Sequence, residues 1–392
     1  MYDYVYHNTT KIIFGKNSMN SIGKEAAAYG KVMLVMGGGS VRENGVFDKT
    51  VSSLKEYGVE YCQLWGVKPN PDISKVREGI EMARAAEVSL ILAVGGGSVI
   101  DSAKAIAAGI PYDGDVWDFY SSSKAPELAL PVGVVLTIPA AGSESSMSSV
   151  ISCGETNEKL SCTAECMLPR FAVMDPQNTY TLPEYQTACG AADMLSHLME
   201  RYFVNTECCD LTDRLIEGAA QTVIEFAPKA LTEPENYDVR AELMQTGCIA
   251  HSDILDRGRG NGGRGGDWAS HQLEHQLSAF YDIAHGAGLA VIFPAWLRYV
   301  SEKSPSKPAQ FGRRVFGITG LSDKDTAFEM INRLEAFFKA ISLPVRLSET
   351  GIDSSKFQLM AERALAAKGG KIGSYIPLTE ASEIVKIYSL AE

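Results

Sequence analysis

Two apolar runs, each closed by the same four-residue turn, constrain this chain more than any other feature. Lys31-Val32-Met33-Leu34-Val35-Met36 ends at Gly37-Gly38-Gly39-Ser40, and Val88-Ser89-Leu90-Ile91-Leu92-Ala93-Val94 ends at Gly95-Gly96-Gly97-Ser98. A third run, Val132-Gly133-Val134-Val135-Leu136-Thr137, stops before Pro139. Runs of strand length without polar alternation are buried on both faces, as in a parallel sheet covered by helices. Helical patterns at about 43–57, 72–86 and 98–109 supply the crossovers. Segment 1–15 is β-branched and aromatic with a turn at Asn8-Thr9-Thr10, and it reads as a β-ribbon.

The pattern changes after Thr181-Leu182-Pro183, and from there onward the sequence reads as long amphipathic helices. With 392 residues the chain is long enough for two domains. The expected division is an α/β domain over 1–182 and an all-helical domain over 183–392. Arg257-Gly258-Arg259-Gly260-Asn261-Gly262-Gly263-Arg264-Gly265-Gly266 is the one low-complexity piece, expected to be a flexible loop.

The net charge of −12 argues against nucleic acid as a partner, because phosphate binding needs a basic surface. No apolar stretch approaches the roughly 20 residues that span a bilayer, and the start lacks a signal-peptide pattern. The eight cysteines form no C-x-x-C pair and read as reduced thiols of a cytoplasmic protein. A cysteine metal site at Cys162 and Cys166 is the alternative, but these two lack partners nearby.

Each glycine turn joins a strand to a helix, where bare backbone and free N–H groups let a pyrophosphate approach. Ser98 can cap the helix or donate to phosphate. A plain tight turn is the alternative, and neither turn fits G-x-G-x-x-G. In Asp193-Met194-Leu195-Ser196-His197 the i, i+4 spacing puts both side chains on one helix face, able to share a metal. His271, His275 and His285 follow, half of the chain's six histidines. Three imidazoles and a carboxylate suit Fe²⁺ or Zn²⁺; any one histidine taken alone reads better as structural, and it is the clustering with the Asp-x-x-x-His helix that favours a metal.

These blocks resemble the iron-containing (group III) alcohol dehydrogenases, in particular their butanol dehydrogenase and NADPH-dependent aldehyde reductase branch. The likeness runs nearly end to end. It is carried by Gly95-Gly96-Gly97-Ser98-x-x-Asp101-x-x-Lys104, Asp175-Pro176-x-x-Thr179-Tyr180-Thr181-Leu182-Pro183, Asp193-x-x-x-His197, His271-x-x-x-His275 and His285-Gly286-x-Gly288. Ala140 and Ala141 depart from the pattern, where relatives often carry hydroxyls, and the 257–266 loop looks long.

The resemblance implies a dehydroquinate synthase-like fold: an N-terminal dinucleotide-binding domain, an all-α metal-binding domain, and the site in a cleft between them. It implies Asp193, His197, His271 and His285 as metal ligands, with Fe²⁺ first and Zn²⁺ the alternative, and His275 beside the substrate as a catalytic residue. Gly37, Gly38, Ser40, Gly95, Gly96, Gly97, Ser98 and Asp101 would hold the dinucleotide. Thr137, Ser143, Lys159, Tyr180 and Leu182 would line its nicotinamide end, although Asn157-Glu158-Lys159 can also be a solvated turn. The reaction implied is hydride transfer between NAD(P)H and a short- to medium-chain primary alcohol or aldehyde, by a homodimer. Gly38 stands at or next to the position where NAD-preferring relatives carry Asp. With Ser40 and Arg42 near, NADP(H) is expected to be favoured over NAD(H). The alternatives are a dehydroquinate synthase-like or glycerol dehydrogenase-like enzyme acting on a polyol, and an RNA-binding role for the Arg/Gly run.

Overall fold

The computed structural model describes residues 1–260 and 265–392. The chain divides into two compact units, one formed by His7–Pro183 with Glu233–Cys248, the other by Met1–Tyr6, Glu184–Thr232 and Ile249–Glu392. A single cut near 182 does not describe this arrangement. Residues 233–248 are counted with the α/β unit because Met244 and Cys248 are packed into its apolar core.

The α/β unit runs β1 (Lys11–Phe14), α1 (Ile22–Ala26), β2 (Val32–Met36), α2 (Ser40–Glu43), α3 (Val46–Glu56), β3 (Tyr61–Leu64), α4 (Ile73–Ala85), β4 (Leu90–Gly95), α5 (Gly97–Gly109) and α6 (Asp118–Ser121). It continues through β5 (Val132–Leu136), β6 (Ser148–Cys153), β7 (Glu158–Thr163) and β8 (Phe171–Met174). Six strands form one sheet in the order β1-β8-β5-β4-β2-β3, with parallel pairing throughout. β2, β4, β5 and β8 are buried along their whole length. Alternate residues serve opposite faces, as the two-residue period of a strand requires. Met33, Val35, Ile91, Ala93, Val134 and Leu136 pack with α4 and α5, whereas Val32, Leu34, Leu90, Leu92 and Val135 pack with α1 and α3. Both faces therefore carry a core, and that is why these runs lack polar positions.

The β-ribbon expected over 1–15 is not formed. Only Lys11–Phe14 is a strand, and it pairs with β8 at the edge of the main sheet. The Asn8 turn exists, but its side chain accepts from Thr10 N–H and donates to the Ser145 carbonyl, so it anchors the segment instead of closing a hairpin. An antiparallel hairpin of β6 and β7 was not foreseen, since its polar strands show no apolar run. Cys162 lies in the core beneath it and its thiol is pushed up to about 12 by burial, so the thiolate that a metal would need is disfavoured.

The second unit is helical, as the sequence indicated: α7 (Glu184–Tyr202), α8 (Asp210–Thr232), α10 (Ala269–Tyr281), α11 (His285–Lys303), α12 (Ser306–Val315), α13 (Asp323–Ala340), α14 (Phe357–Ala367) and α15 (Ala381–Leu390), while α9 (Tyr237–Ala250) runs mostly within the α/β unit. α11 is apolar nearly all round and is buried from Gly286 to Leu297. α7, α10, α13 and α15 pack against it. Among the described residues, no helix is long and apolar enough to cross a membrane.

Candidate active site

The chain passes from β2 to β3 on one side and then returns to place β4 on the other side of β2. The ends of β2 and β4, in register through Met36 and Val94, thus flank the point where strand order reverses. In open parallel sheets a ligand crevice forms there, outside the carboxyl ends. Gly37, Gly38 and Ser40 leave β2 at this point, and Gly96, Gly97 and Ser98 follow Gly95 at the end of β4. Thr137 follows β5, and its N–H donates to the Gly95 carbonyl at 3.1 Å. Tyr180 and Leu182 come after β8.

The two glycine turns are bare for different reasons. A Cβ on Gly95 would lie 2.6 Å from Val99 Cγ2, and one on Gly96 would lie 3.0 Å from Ile138 Cβ. Internal packing dictates those two. At Gly38 the Cβ position meets nothing within 4 Å among the described residues, so the fold does not require glycine there. No side chain caps α5 at Gly96, which leaves its first N–H groups for an anion.

Asp101 has both oxygens engaged by the protein. Ser143 Oγ donates to Oδ1 at 2.7 Å and Val150 N–H to Oδ2 at 2.9 Å. Lys104, fully buried, donates to the carbonyls of Ser143 and Ser148. Burial pushes the Asp101 carboxyl above its ordinary range, with Lys104 opposing. Lys159 is not on a solvated turn. The turn is made by the preceding residues, with Asn157 at φ 52°, and Lys159 points inward from β7 to donate to Asn70 Oδ1 at 2.9 Å.

In the helical unit, the four expected ligands meet around one carboxylate. Asp193 Oδ1 lies 3.4 Å from His197 Nδ1, 4.0 Å from His271 Nε2 and 3.8 Å from His285 Nε2. A tetrahedron with bonds of ~2.1 Å has edges of ~3.4 Å, so each of these three separations from Asp193 suits a shared ion; Asp193, His197 and His271 bring their donor atoms within 4.8 Å of one another, and His285 does the same with Glu274 and His275. Among the described residues, His197 Nδ1 and His271 Nε2 are buried with no hydrogen-bond partner. Burial, with other imidazoles close by, holds His197 well below its ordinary pKa and hence in the neutral form that ligates. The donor set therefore fits a divalent metal. His275, one turn beyond His271, is buried with its ring 5.7 Å from that of His285.

Sequence reasoning missed the residues behind this set. Glu200 Oε1 lies 2.8 Å from His271 Nδ1, and Glu274 Oε2 is within hydrogen-bond distance of His285 Nδ1. Both carboxylates are fully buried. The signal was present as spacing: Glu200 is seven residues past Asp193 and three past His197, on the same helix face. Arg201 lies with its guanidinium 4.6 Å over the Trp268 ring, bonds the His197 carbonyl and His251 Nδ1, and pairs with Asp256 at 2.9 Å. It braces the wall in which His251 and Trp268 stand beside His197.

The Arg/Gly run is not a free loop where it is described; residues 261–264 lie outside the described residues. Arg259 is fully buried and paired with Asp213 at 2.6 Å, and Arg257 pairs with Asp253. A buried ion pair makes Arg259 part of the fold, and an RNA-binding role loses two of its three arginines.

The family model for iron-containing alcohol dehydrogenase matches residues 9–176, and that for the Fe-containing alcohol dehydrogenase family, C-terminal, matches 187–391. The chain belongs to the iron-containing alcohol dehydrogenase family. Within that family it is 44% identical over 378 residues to a probable NADH-dependent butanol dehydrogenase 2 of Bacillus subtilis, covering 96% of this chain and 95% of the relative. It is 36% identical over 366 residues to the NADPH-dependent aldehyde reductase YqhD of Escherichia coli, covering 93% of each. The solved structure of NADH-dependent butanol dehydrogenase A from Thermotoga maritima superposes with a TM-score of 0.95 at 38% identity, covering 99% of this chain and 98% of that one. The dehydroquinate synthase-like and polyol alternatives are not favoured by these matches.

Proposed function

We propose that this enzyme transfers hydride reversibly between NAD(P)H and a short- to medium-chain primary alcohol or aldehyde, assisted by a divalent metal on Asp193, His197, His271 and His285. The observation that carries the reading is that His197, His271 and His285 each bring a ring nitrogen within 4.0 Å of Asp193 Oδ1, in a chain whose relatives are butanol dehydrogenases and an aldehyde reductase. A divalent ion, when bound, polarises a carbonyl or acidifies a hydroxyl, and the nicotinamide supplies or takes the hydride. Iron is the first choice and zinc the second, because a set of imidazoles and one carboxylate suits both. His275 is proposed to orient the substrate or carry its proton without ligating; His275→Gln would then keep metal while kcat falls. The experiment is a screen of aldehydes against NADH and NADPH, with metal content measured on the same preparation. His285→Ala and Asp193→Ala should lose turnover and metal together with the fold intact, and a His285→Ala variant that kept both would refute the assignment.

The finer readings concern the nucleotide and the assembly. NADPH preference is supported by the bare, open Gly38 and by Arg42, whose guanidinium stacks 3.9 Å over the Trp65 ring just beyond Ser40. Several relatives named NADH-dependent speak for the opposite order. Gly38→Asp should weaken NADPH selectively, because a carboxylate facing a phosphate is repelled. An unchanged NADPH/NADH ratio of kcat/KM would count against it. A homodimer is supported by the unpaired edge of β1, where Ile12 and Phe14 are 42% and 41% exposed, and sedimentation tests it. Eight free thiols support a cytoplasmic location, which fractionation of the source cells would check.

A further inference from the structure

We propose that Glu200 and Glu274 are positioning residues that tune how tightly the metal is held, each by fixing the tautomer of one histidine. The proposal rests on the ligand reading above. A carboxylate oxygen set against Nδ1 of each ring favours the tautomer with the proton on that nitrogen, and the geometry assigns it to both His271 and His285. That leaves the Nε2 lone pair of each ring facing Asp193, at 4.0 and 3.8 Å from its Oδ1. An isolated imidazole has no such constraint. The carboxylate also makes the ring more basic and brings a negative charge one imidazole away from the ion.

The arrangement passes from helix to helix. α7 carries Asp193 and His197, and its Glu200 orients a histidine of α10. α10 carries His271, and its Glu274 orients the histidine that opens α11. Glu200 is held by further donors, Trp268 N–H at 2.5 Å on Oε2, and Ser270 Oγ at 2.5 Å and His271 N–H at 3.1 Å on Oε1, while burial and the Glu200 charge push the nearby Asp267 carboxyl up to about 7. Glu274 accepts from Ser278 Oγ at 2.5 Å besides His285. The His285-Gly286-x-Gly288 motif acquires a steric reason here. A Cβ on Gly286 would lie 2.1 Å from the Cys189 carbonyl oxygen of α7, and one on Gly288 would lie 2.7 Å from Glu274 Oε1. Gly288 thus makes room for the carboxylate that holds His285.

A purely structural role is the competing account, because Glu200 also caps the first turn of α10. The two are separated by reading the metal and the tautomer directly. The metal-free protein, selectively labelled with ¹⁵N-histidine, should show His271 and His285 protonated at Nδ1; protonation at Nε2 in either would overturn the proposal. Zinc affinity, measured by competition with a chromophoric chelator, should fall about 10–100-fold in Glu200→Gln and in Glu274→Gln, with melting temperatures near that of the parent. Gly288→Ala displaces Glu274 without removing it and should show the same weakening, so a poorly folding glutamine variant does not leave the matter open. Parental affinity in Glu200→Gln, Glu274→Gln and Gly288→Ala would overturn the positioning role while leaving the ligands intact. If His271→Ala also bound zinc normally, the ligand reading itself would fall. Two zinc ions per parental chain, one lost in Glu274→Gln, would make Glu274 a ligand and overturn the proposal as well.

Discussion

Replacing Lys104 by Met keeps the length of the side chain and removes its charge. Lys104 is fully buried and donates to the Ser143 carbonyl at 2.7 Å, to Ser143 Oγ at 2.8 Å and to the Ser148 carbonyl at 2.8 Å. It also offsets the charge of Asp101. A hydrogen bond from a charged donor contributes ~1.5–3 kcal/mol, but such terms do not add, and removing one partner of a buried charged pair costs ~3–5 kcal/mol in total. The variant should therefore lose about 3–5 kcal/mol, or roughly 6–20 °C in melting temperature for a unit of this size. Without Lys104 the Asp101 carboxyl rises further above its ordinary range. A carboxyl raised on folding contributes stability that is present at low pH and lost as pH climbs through its folded pKa. The defect should thus be larger near pH 8 than near pH 5. Asp101→Asn in the Lys104→Met background should recover about 1 kcal/mol or more, because the stranded charge has gone. Calorimetry at the two pH values with the double-mutant cycle decides the matter. A single variant within about 1 kcal/mol of the parent at pH 8, or no recovery in the double variant, would refute the reasoning.

Glu144, buried beside Cys248, has its carboxyl pushed up to about 7 by burial. Its contribution to stability is present below the ordinary carboxylate range and is lost as pH rises through about 7, a cost of at most ~3 kcal/mol at pH 8. Glu144→Gln should flatten the pH dependence of melting over that window and raise the melting temperature at pH 8; an unchanged slope speaks against it. Arg259→Leu should cost about 2–4 kcal/mol, less than a full broken pair because Lys307 and Gln310 still hold Asp213. Deleting 259–264 should cost at least as much, and a melting temperature within a degree of the parent in either variant would refute a structural role for Arg259.

Much of the site was legible because chemistry at short range leaves a periodic trace. Asp193 and His197 are four residues apart on a helix, so their convergence follows from 3.6 residues per turn. The runs at 32–36, 90–95 and 132–136 lack polar positions because both faces of those strands are buried, a fact written into each run by itself. What the sequence could not tell is which partner a polar residue meets far along the chain. For Lys159 the sequence left a solvated turn open beside a cofactor role, and only the pairing of β6 with β7 turns it inward to Asn70. Arg259 sits in a stretch whose composition signals mobility, yet Asp213, distant in sequence, buries it as an ion pair. The spacing of Glu200 puts it on the helix face of Asp193 and His197, but which histidine Glu200 and Glu274 each hold is decided only when α7, α10 and α11 are packed together. Local periodicity fixes which face a side chain occupies; desolvation and charge pairing depend on what the fold brings against that face, and this the tertiary structure alone decided.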